Sequence, residues 1–209
     1  PVECHDVLIE DSFVSGASDA GFYIGQSHGV IMRRNRAEFN VAGIEIENTT
    51  DADVYDNIAT NNTGGILVFN LPGLPFTDGR RTRVYDNEIY TNDTPNFARA
   101  GATVGAVPVG TGLMILANDE VQVFNNTFRD NGTTHVLIIG FNTAQLIGGF
   151  ANTDPNYDRF SESIYIYDNS YEGGDSPADQ AVADLLVETT TLPIDVMLDG
   201  SRDSAKMVD

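Results

Sequence analysis

A short motif recurs along this chain, and its spacing constrains the fold more than any other feature. Tyr-Asp-Asn occurs at residues 55–57, 85–87 and 167–169, and residues 124–126 (Phe-Asn-Asn) are a weaker copy. Alignment on the last residue of the motif adds two earlier members, Ser12 and Asn35. The intervals between these six anchors are 23, 22, 30, 39 and 43 residues. A unit of about 22 residues that is lengthened by insertions indicates a repeat protein.

Each repeat contains two short segments with the pattern of a β-strand. Apolar and polar residues alternate before the anchor, as in residues 53–55, which is the period of a strand with one buried face. A second apolar segment, such as residues 43–47, follows eight or nine residues after four of the anchors. Short strands, polar turns and this period predict an all-β fold, a right-handed parallel β-helix of about six coils with loop insertions.

The recurring asparagine predicts a structural feature at one turn of each coil. When coils stack, the inward residue of each motif stacks as well, and the amide groups hydrogen-bond to one another and to the turn backbone. The predicted ladder consists of Asn35, Asn57, Asn87, Asn126 and Asn169. A helical solenoid is disfavoured because glycine, asparagine, aspartate and threonine interrupt every helical window. A propeller blade needs about four strands in 40 residues and does not fit the shortest intervals.

Length and composition favour a single domain over residues 1–209, in which residues 178–209 form a C-terminal cap with helical spacing over residues 178–188 followed by an apolar segment at residues 192–198. No apolar run approaches the ~18 residues of a membrane span. The net charge of −20 argues against nucleic acid and anionic membranes as partners. The first strand begins by residue 6 without a cap, which predicts that residues precede it in a longer chain or that a partner covers this end.

Three aspartates in one polar segment are candidate calcium ligands. Asp51, Asp53 and Asp56 lie within six residues, and calcium prefers carboxylate and carbonyl oxygens. No calcium-binding loop of known spacing is present, and solubility in a salty or extracellular setting is the simpler explanation of the acidity. Ca²⁺ is therefore the candidate cofactor. His5 and His28 occupy equivalent positions one coil apart, and their expected stacking gives a weaker candidate for a metal site.

Aromatic residues recur at the outward position of successive first strands. They are expected to form a flat strip with intervals of about 5 Å, which either stacks against sugar rings or is covered by the chain's own terminus. The strip consists of Tyr55, Tyr85, Phe124 and Tyr167. A basic cluster of Arg80, Arg81 and Arg83 is the best candidate for holding an anionic ligand, unless it only offsets an acidic surface.

The outward face of the second strands is apolar from the third coil onward, which predicts cover by the insertions at residues 70–81, 91–111 and 141–162. At the margin of this face, Glu45 and Glu47 are expected to point outward, with Arg33 on a neighbouring part of the coil. A glycan-cleaving or epimerising site needs one group to move a proton and one to neutralise a uronate. The alternative is a set of solvated charges that pair across coils.

Several longer segments together resemble bacterial parallel β-helix repeat domain-containing proteins. The segments are residues 43–48, 53–57, 62–69, 71–75, 94–97 and 110–112. The resemblance covers nearly the whole chain, including its insertions. It implies export to the periplasm, the outer surface or the extracellular space, with a c-type cytochrome-like protein as a candidate partner. The biochemical function of that family is not established, so the resemblance supplies no catalytic residue.

The predicted fold is also similar to that of pectate lyases and mannuronan epimerases. The epimerase motif Asp-Pro-His-Asp is not reproduced, because residues 154–157 read Asp-Pro-Asn-Tyr and lack the histidine that moves the proton. We therefore predict an exported scaffold or binding module that holds a glycan or a partner protein. The alternatives are a polysaccharide lyase or C5-epimerase, and a structural subunit of a larger surface or electron-transfer assembly.

Overall fold

Three parallel sheets define the architecture, which is a right-handed parallel β-helix. The structure, a computed structural model, describes residues 1–148, 154–174, 179, 182 and 194–202. In chain order its strands are β1 (His5–Glu10), β2 (Phe13–Ser15), β3 (Ala20–Gly25), β4 (His28–Arg33), β5 (Arg36–Glu38), β6 (Ala42–Glu47), β7 (Thr50–Tyr55), β8 (Ile58–Thr60), β9 (Gly64–Phe69), β10 (Arg80–Tyr85), β11 (Glu88–Tyr90), β12 (Thr111–Leu116), β13 (Gln122–Phe124), β14 (Thr127–Arg129), β15 (Thr134–Ile139), β16 (Tyr165–Tyr167), β17 (Ser170–Glu172) and β18 (Ile194–Leu198).

Each coil contributes one strand to each sheet, and each strand pairs in parallel with its counterpart in the next coil. The first sheet has the order β1-β4-β7-β10-β13-β16, the second β2-β5-β8-β11-β14-β17, and the third β3-β6-β9-β12-β15-β18. The sequence pattern predicted only the strands of the first and third sheets. The three-residue strands of the second sheet were missed because they are too short to show a period.

The recurring motif makes the turn between the first and second sheets. In Tyr55-Asp56-Asn57 the tyrosine ends β7 with its ring outward, and the aspartate adopts a left-handed conformation with φ of 52°. The residues at the same point of the other coils have φ between 50° and 54°. Aspartate and asparagine tolerate this conformation better than other non-glycine residues, which explains their place in the motif. The left-handed residue turns the chain so that the following asparagine points inward.

Two asparagine ladders run along the inside of the turns. In the ladder predicted from the motif, each side-chain amide donates to the amide oxygen one coil further on, at 2.9 to 3.0 Å, from Asn35 through Asn57, Asn87 and Asn126 to Asn169. A second ladder, which the sequence analysis missed, has the same geometry at 3.0 Å and consists of Asn40, Asn62, Asn92 and Asn131. Its members follow the anchors by five residues. Both ladders satisfy buried backbone groups at turns, where no strand partner is present.

The core is a narrow column of aliphatic side chains inside the coil, and a second apolar cluster lies outside the third sheet. The insertions build this outer cluster. Leu71 comes from residues 70–81, Val104 from a 3₁₀ helix (Thr103–Ala106), and Phe141 from α1 (Phe141–Gly148). Tyr157 packs edge-on against Phe141. The insertions therefore cover the apolar face, as its outward residues predicted, while Phe76 and Phe97 remain exposed.

The C-terminal region differs from the predicted cap in one respect. Residues 194–198 form β18, which pairs with β15 and so extends the third sheet by one coil. The predicted helix over residues 178–188 falls almost wholly outside the described residues. Among the described residues, no helix has the length and apolar character that a bilayer crossing requires.

Candidate ligand-binding face

Two parallel arginine–aspartate pairs stand side by side on the outer face of the first sheet. Arg81 donates from Nε and Nη2 to the two carboxylate oxygens of Asp51, at 2.6 and 2.8 Å. Arg83 binds Asp53 in the same way, at 2.6 and 2.7 Å. Each pair joins β10 to β7, and the two-pronged geometry is the strongest form of this contact. The hydrogen bond from Arg81 holds the pKa of Asp51 below its usual value.

A polar cavity of about 350 Å³ lies over these pairs. Its walls come from three successive coils, because β7, β10 and β13 are neighbours in the first sheet. The lining residues are Asp51, Ala52, Asp53, Arg81, Arg83, Glu120 and Gln122. Carboxylates, an amide and guanidinium groups converge here, so the cavity offers both donors and acceptors in paired geometry.

An aromatic ladder runs along the outer face of the same sheet, beside the pairs. Neighbouring ring centroids are 4.9 to 5.0 Å apart with interplanar angles of 3° to 9°, through Tyr55, Tyr85, Phe124 and Tyr167. Each ring covers the face of the next, so the ladder presents edges and hydroxyl groups to solvent. The open ring faces expected from the sequence are therefore not available for sugar stacking inside the ladder. The guanidinium carbon of Arg83 lies 5.8 Å from the Tyr85 ring centroid and links the ladder to the pairs.

The structure places Arg33 and Arg80 on the same sheet, each in an ion pair. Arg33 donates to Glu10 at 2.9 Å and to the Tyr55 hydroxyl at 3.0 Å. Arg80 lies 3.2 Å from the Asp78 carboxylate. The predicted basic cluster thus shares one sheet with Tyr55 and Tyr85, although its charges are largely balanced by neighbouring carboxylates.

The three aspartates predicted as calcium ligands do not converge. Asp51 and Asp53 are each held by an arginine, and Asp56 is an exposed turn residue. Among the described residues, carboxylate oxygens approach within 4.8 Å of one another in a different group, formed by Asp119, Asp158 and Glu162. Sequence spacing gave no signal for this group because its members come from different segments of the chain.

Glu45 and Glu47, predicted as catalytic carboxylates, lie on the third sheet and not beside Arg33. Their side chains point away from the core, as expected, but they are only 2% and 7% exposed. The cover comes from residues 101–104 of the insertion that precedes β12, which enclose a cavity of about 330 Å³ with the two glutamates. The expected arginine is missing because β4 carries Arg33 on the first sheet.

Burial sets the protonation of this acidic cavity. Glu47 accepts hydrogen bonds from the Tyr23 hydroxyl at 2.6 Å and from the Gln26 amide at 2.8 Å. Burial, assisted by the charges of Glu47 and Asp19, raises the pKa of Glu45 to about 8. Burial also raises the pKa of Glu47, although its two hydrogen bonds oppose the shift. Glu45 is therefore largely protonated near neutral pH.

Two histidines lie edge-on to each other at the start of the first sheet, with 63° between their ring planes, and not stacked as expected. His5 and His28 are paired across β1 and β4, with ring centroids 5.8 Å apart. Nδ1 of His28 lies 2.9 Å from the Thr50 hydroxyl and 3.1 Å from the Asp51 carboxylate. Both rings line a cavity of about 450 Å³ that also contacts Glu3 and Phe76. A proton on Nδ1 would leave Nε2 of His28 with the lone pair that a metal ion needs.

Comparison with known proteins identifies the family. The sequence profile described as "Periplasmic copper-binding protein (NosD)" matches residues 2–174, which is most of the chain. The chain belongs to the NosD family. None of the curated proteins searched matches this NosD-family chain.

The solved structures that resemble this NosD-family chain share its fold. The crystal structure of the periplasmic alginate epimerase AlgG is 16% identical, with a TM-score of 0.52, over 81% of this chain and 46% of that one. Its T265N mutant gives 15% identity and a TM-score of 0.53 over the same shares. The A-module of the mannuronan C-5 epimerase AlgE4 from Azotobacter vinelandii is 18% identical, with a TM-score of 0.46, over 94% and 58%. The chain thus spans about half the length of these structures.

Two groups of side chains in the described part of the chain can be compared as ligands for copper, the metal that the family description names. Imidazole nitrogens suit copper, and a carboxylate on the other ring nitrogen orients such a ligand. His5, His28 and Asp51 meet both conditions. The group of Asp119, Asp158 and Glu162 suits a harder cation, because its ligand atoms are all carboxylate oxygens. The histidine pair is therefore the part of the described chain that fits copper best.

Proposed function

We propose that this chain is a periplasmic binding module that holds a glycan on the outer face of the first sheet. The observation that carries the proposal is the pair of parallel contacts Arg81–Asp51 and Arg83–Asp53 beneath one cavity. Neighbouring sugar hydroxyls form planar, paired hydrogen bonds of the kind that guanidinium and carboxylate groups make. The aromatic ladder supports this role by presenting ring edges and hydroxyl groups on the same sheet, next to Arg83.

The ion pairs are suited to exchange with a ligand. Their arginine side chains are 39% and 51% exposed, so the pairs are well solvated. A glycan group can therefore replace one partner of a pair while water hydrates the carboxylate or guanidinium group that is released. A carboxylate on the sugar would compete with Asp51 or Asp53 for the same guanidinium groups, which fits a uronate better than a neutral sugar.

The test is binding of alginate oligosaccharides, since the similar structures include periplasmic alginate epimerases. The double variant Arg81→Gln/Arg83→Gln should lose at least tenfold in affinity by titration calorimetry. Arg129→Gln is the matched control, because Arg129 makes a comparable exposed pair with Glu88 on the second sheet. Equal affinity in both variants would show that the glycan does not use this face. No binding by the wild type, together with capture of a c-type cytochrome-like protein, would favour a partner protein instead.

Lyase or epimerase activity is the alternative that the same experiment tests. It needs a carboxylate and an arginine at one open groove, whereas Glu45 is buried on the third sheet and Arg33 pairs with Glu10 on the first. We therefore expect no unsaturated product by ultraviolet absorbance and no change in the sugar epimer by NMR. Turnover that disappears in Glu45→Gln would establish the enzyme.

The histidine pair favours copper binding as a second candidate function. His5 and His28 would hold the ion, and Asp51 would orient His28 through Nδ1. The test is direct titration with Cu²⁺. The wild type should bind the ion with a change in tyrosine fluorescence or visible absorbance, and His28→Gln should lose at least tenfold in copper affinity. His135→Gln is the control, because His135 lies on the third sheet, away from the pair, and is fully buried against Phe128. Equal copper affinity in both variants would exclude the pair.

A further inference from the structure

The acidic cavity over Glu45 is separate from the polar cavity of the first sheet. It lies between the outer face of the third sheet and residues 101–104, and its volume is about 330 Å³. Asp19 and Thr103 at its edge are exposed, whereas the Glu45 side chain is 2% exposed. The cavity thus reaches from solvent to a buried carboxyl group.

The charge in this cavity is one-sided. Asp19, Glu45 and Glu47 contribute three carboxyl groups, and Tyr23 contributes a phenol. The rest of the lining is Gly101, Ala102, Thr103 and Val104, so no basic side chain faces these acids among the residues that line the cavity. Elsewhere on the described surface, several acids are paired with arginine, as in Arg33–Glu10 and Arg83–Asp53.

Glu45 is the group in this cavity that lacks a partner. Glu47 accepts two hydrogen bonds, but within the described part of the chain the Glu45 carboxyl makes neither a hydrogen bond nor an ion pair. A buried carboxyl group without a partner is costly when ionised, and native structures satisfy the great majority of such groups. Its position in the cavity wall leaves room for a ligand to act as that partner.

We propose that this cavity binds a small organic cation, whose primary ammonium group lies against Glu45 and Glu47. An ammonium group offers three hydrogen-bond donors and a positive charge, which matches two carboxyl groups and a phenol oxygen. A divalent metal fits less well, because the described carboxylates that lie within chelating reach of one another are Asp119, Asp158 and Glu162. The cavity volume is at the lower end of the usual range of ligand pockets, which suits a small ligand such as an aliphatic diamine.

Binding of the cation should be coupled to release of a proton. Near neutral pH Glu45 carries a proton, because burial and the charges of Glu47 and Asp19 raise its pKa to about 8. Tyr23 stays neutral, because burial and its hydrogen bond to Glu47 raise its pKa. An ammonium ion favours the ionised carboxyl group, so affinity should increase as the pH rises toward the pKa of Glu45.

The experiment is titration calorimetry of the full chain with 1,4-diaminobutane near neutral pH, in phosphate and in Tris. Because the buffer takes up the released proton, the observed binding enthalpies should differ by the difference in ionisation enthalpy of the two buffers, for about one proton per site. Glu45→Gln should weaken binding at least tenfold and abolish the buffer dependence. The control is Glu38→Gln, which removes a carboxylate paired with Arg36 on the second sheet. It should leave the diamine affinity and the buffer dependence unchanged. Because glutamine has nearly the shape of a protonated glutamate, the Glu45 variant is expected to fold.

Three results would overturn the proposal. The first is the absence of binding heat at millimolar diamine with a folded protein. The second is equal diamine affinity in wild type and Glu45→Gln, which would place the cation elsewhere on an acidic surface. The third is displacement of the diamine by Ca²⁺ with higher affinity, which would identify a metal site instead. None of these outcomes bears on the glycan proposal, which rests on Arg81 and Arg83 of the first sheet.

Discussion

The ring of Tyr55 lies parallel to that of Tyr85, with centroids 4.9 Å apart and 9° between the planes. The two residues are direct neighbours in the register of β7 and β10. Identical spacing of Phe124 and Tyr167 extends the contact over four coils. The aromatic ladder therefore ties the first sheet together from outside, on the opposite side from the asparagine ladders.

A double-mutant cycle should measure this contact. Tyr55→Ala and Tyr85→Ala together should be less destabilising than the sum of the single changes, with a coupling of about 0.5–1.5 kcal/mol in urea denaturation. The pair Tyr55 and Phe124 is the control, since Tyr85 separates them. Equal coupling in both cycles would mean that the rings do not act through direct stacking.

Replacement of an asparagine inside a ladder should be strongly destabilising. Asn57 accepts from the backbone and side chain of Asn35 and donates to Asn87 and to two backbone oxygens. Asn57→Ala leaves several of these buried groups unsatisfied, so we expect a loss of about 2–4 kcal/mol in the free energy of unfolding. Asn169→Ala, at the partly exposed end of the same ladder, should cost less. A smaller loss at Asn57 than at Asn169 would contradict the role of the ladder.

The middle residue of the motif should respond to backbone geometry alone. Asp56 is exposed and has φ of 52°, a conformation that glycine adopts freely and valine strongly resists. Asp56→Gly should therefore be nearly neutral, whereas Asp56→Val should cost about 1–2 kcal/mol by thermal denaturation. Equal stability of the two variants would show that the turn tolerates another conformation. Stabilisation of the wild type by Ca²⁺, absent from both variants, would instead support a role of Asp56 in calcium binding.

The repeat was readable from the sequence because each motif residue has one local task. The tyrosine faces outward, the aspartate takes the left-handed turn and the asparagine bonds to the next coil, and the motif or its weaker copy recurs in the four coils from Tyr55 to Tyr167. The second ladder was equally readable, since Asn40, Asn62, Asn92 and Asn131 keep a fixed offset from the anchors. It was missed because the two residues before each asparagine follow no common pattern: they are Glu38-Phe39, Thr60-Asn61, Tyr90-Thr91 and Arg129-Asp130.

The surroundings of the outward residues were harder to predict. Alternation placed Glu45 and Glu47 outside the core, but their burial depends on residues 101–104, which fold back over the third sheet from a later coil. The separation of Arg33 from Glu45 follows from the second sheet, whose short strand β5 lies between them along the coil and was not revealed by the sequence pattern. A local pattern records which side of a strand a residue occupies, whereas its partners are set by insertions of irregular length.

The stability of the protein should fall as the pH rises from about 4.5 to about 8, and Glu45 should cause much of this change. Its carboxyl group keeps its proton in the folded state up to a pKa of about 8, whereas the unfolded chain releases it near 4.5. The unfolded state then binds fewer protons than the folded state, so the free energy of unfolding decreases with pH in this window. Asp51, whose pKa is lowered by Arg81, acts in the opposite sense and only at lower pH.

Urea denaturation of wild type and Glu45→Gln at about pH 5 and pH 8 measures this effect. The free energy of unfolding of the wild type should fall by a few kcal/mol from pH 5 to pH 8, since each pKa unit corresponds to about 1.4 kcal/mol. The decrease in Glu45→Gln should be markedly smaller. The part that remains comes from Glu47, because burial raises its pKa as well. Glu38→Gln should follow the wild type. A parallel loss in wild type and Glu45→Gln would mean that solvent or a cation reaches Glu45 and keeps it ionised at neutral pH.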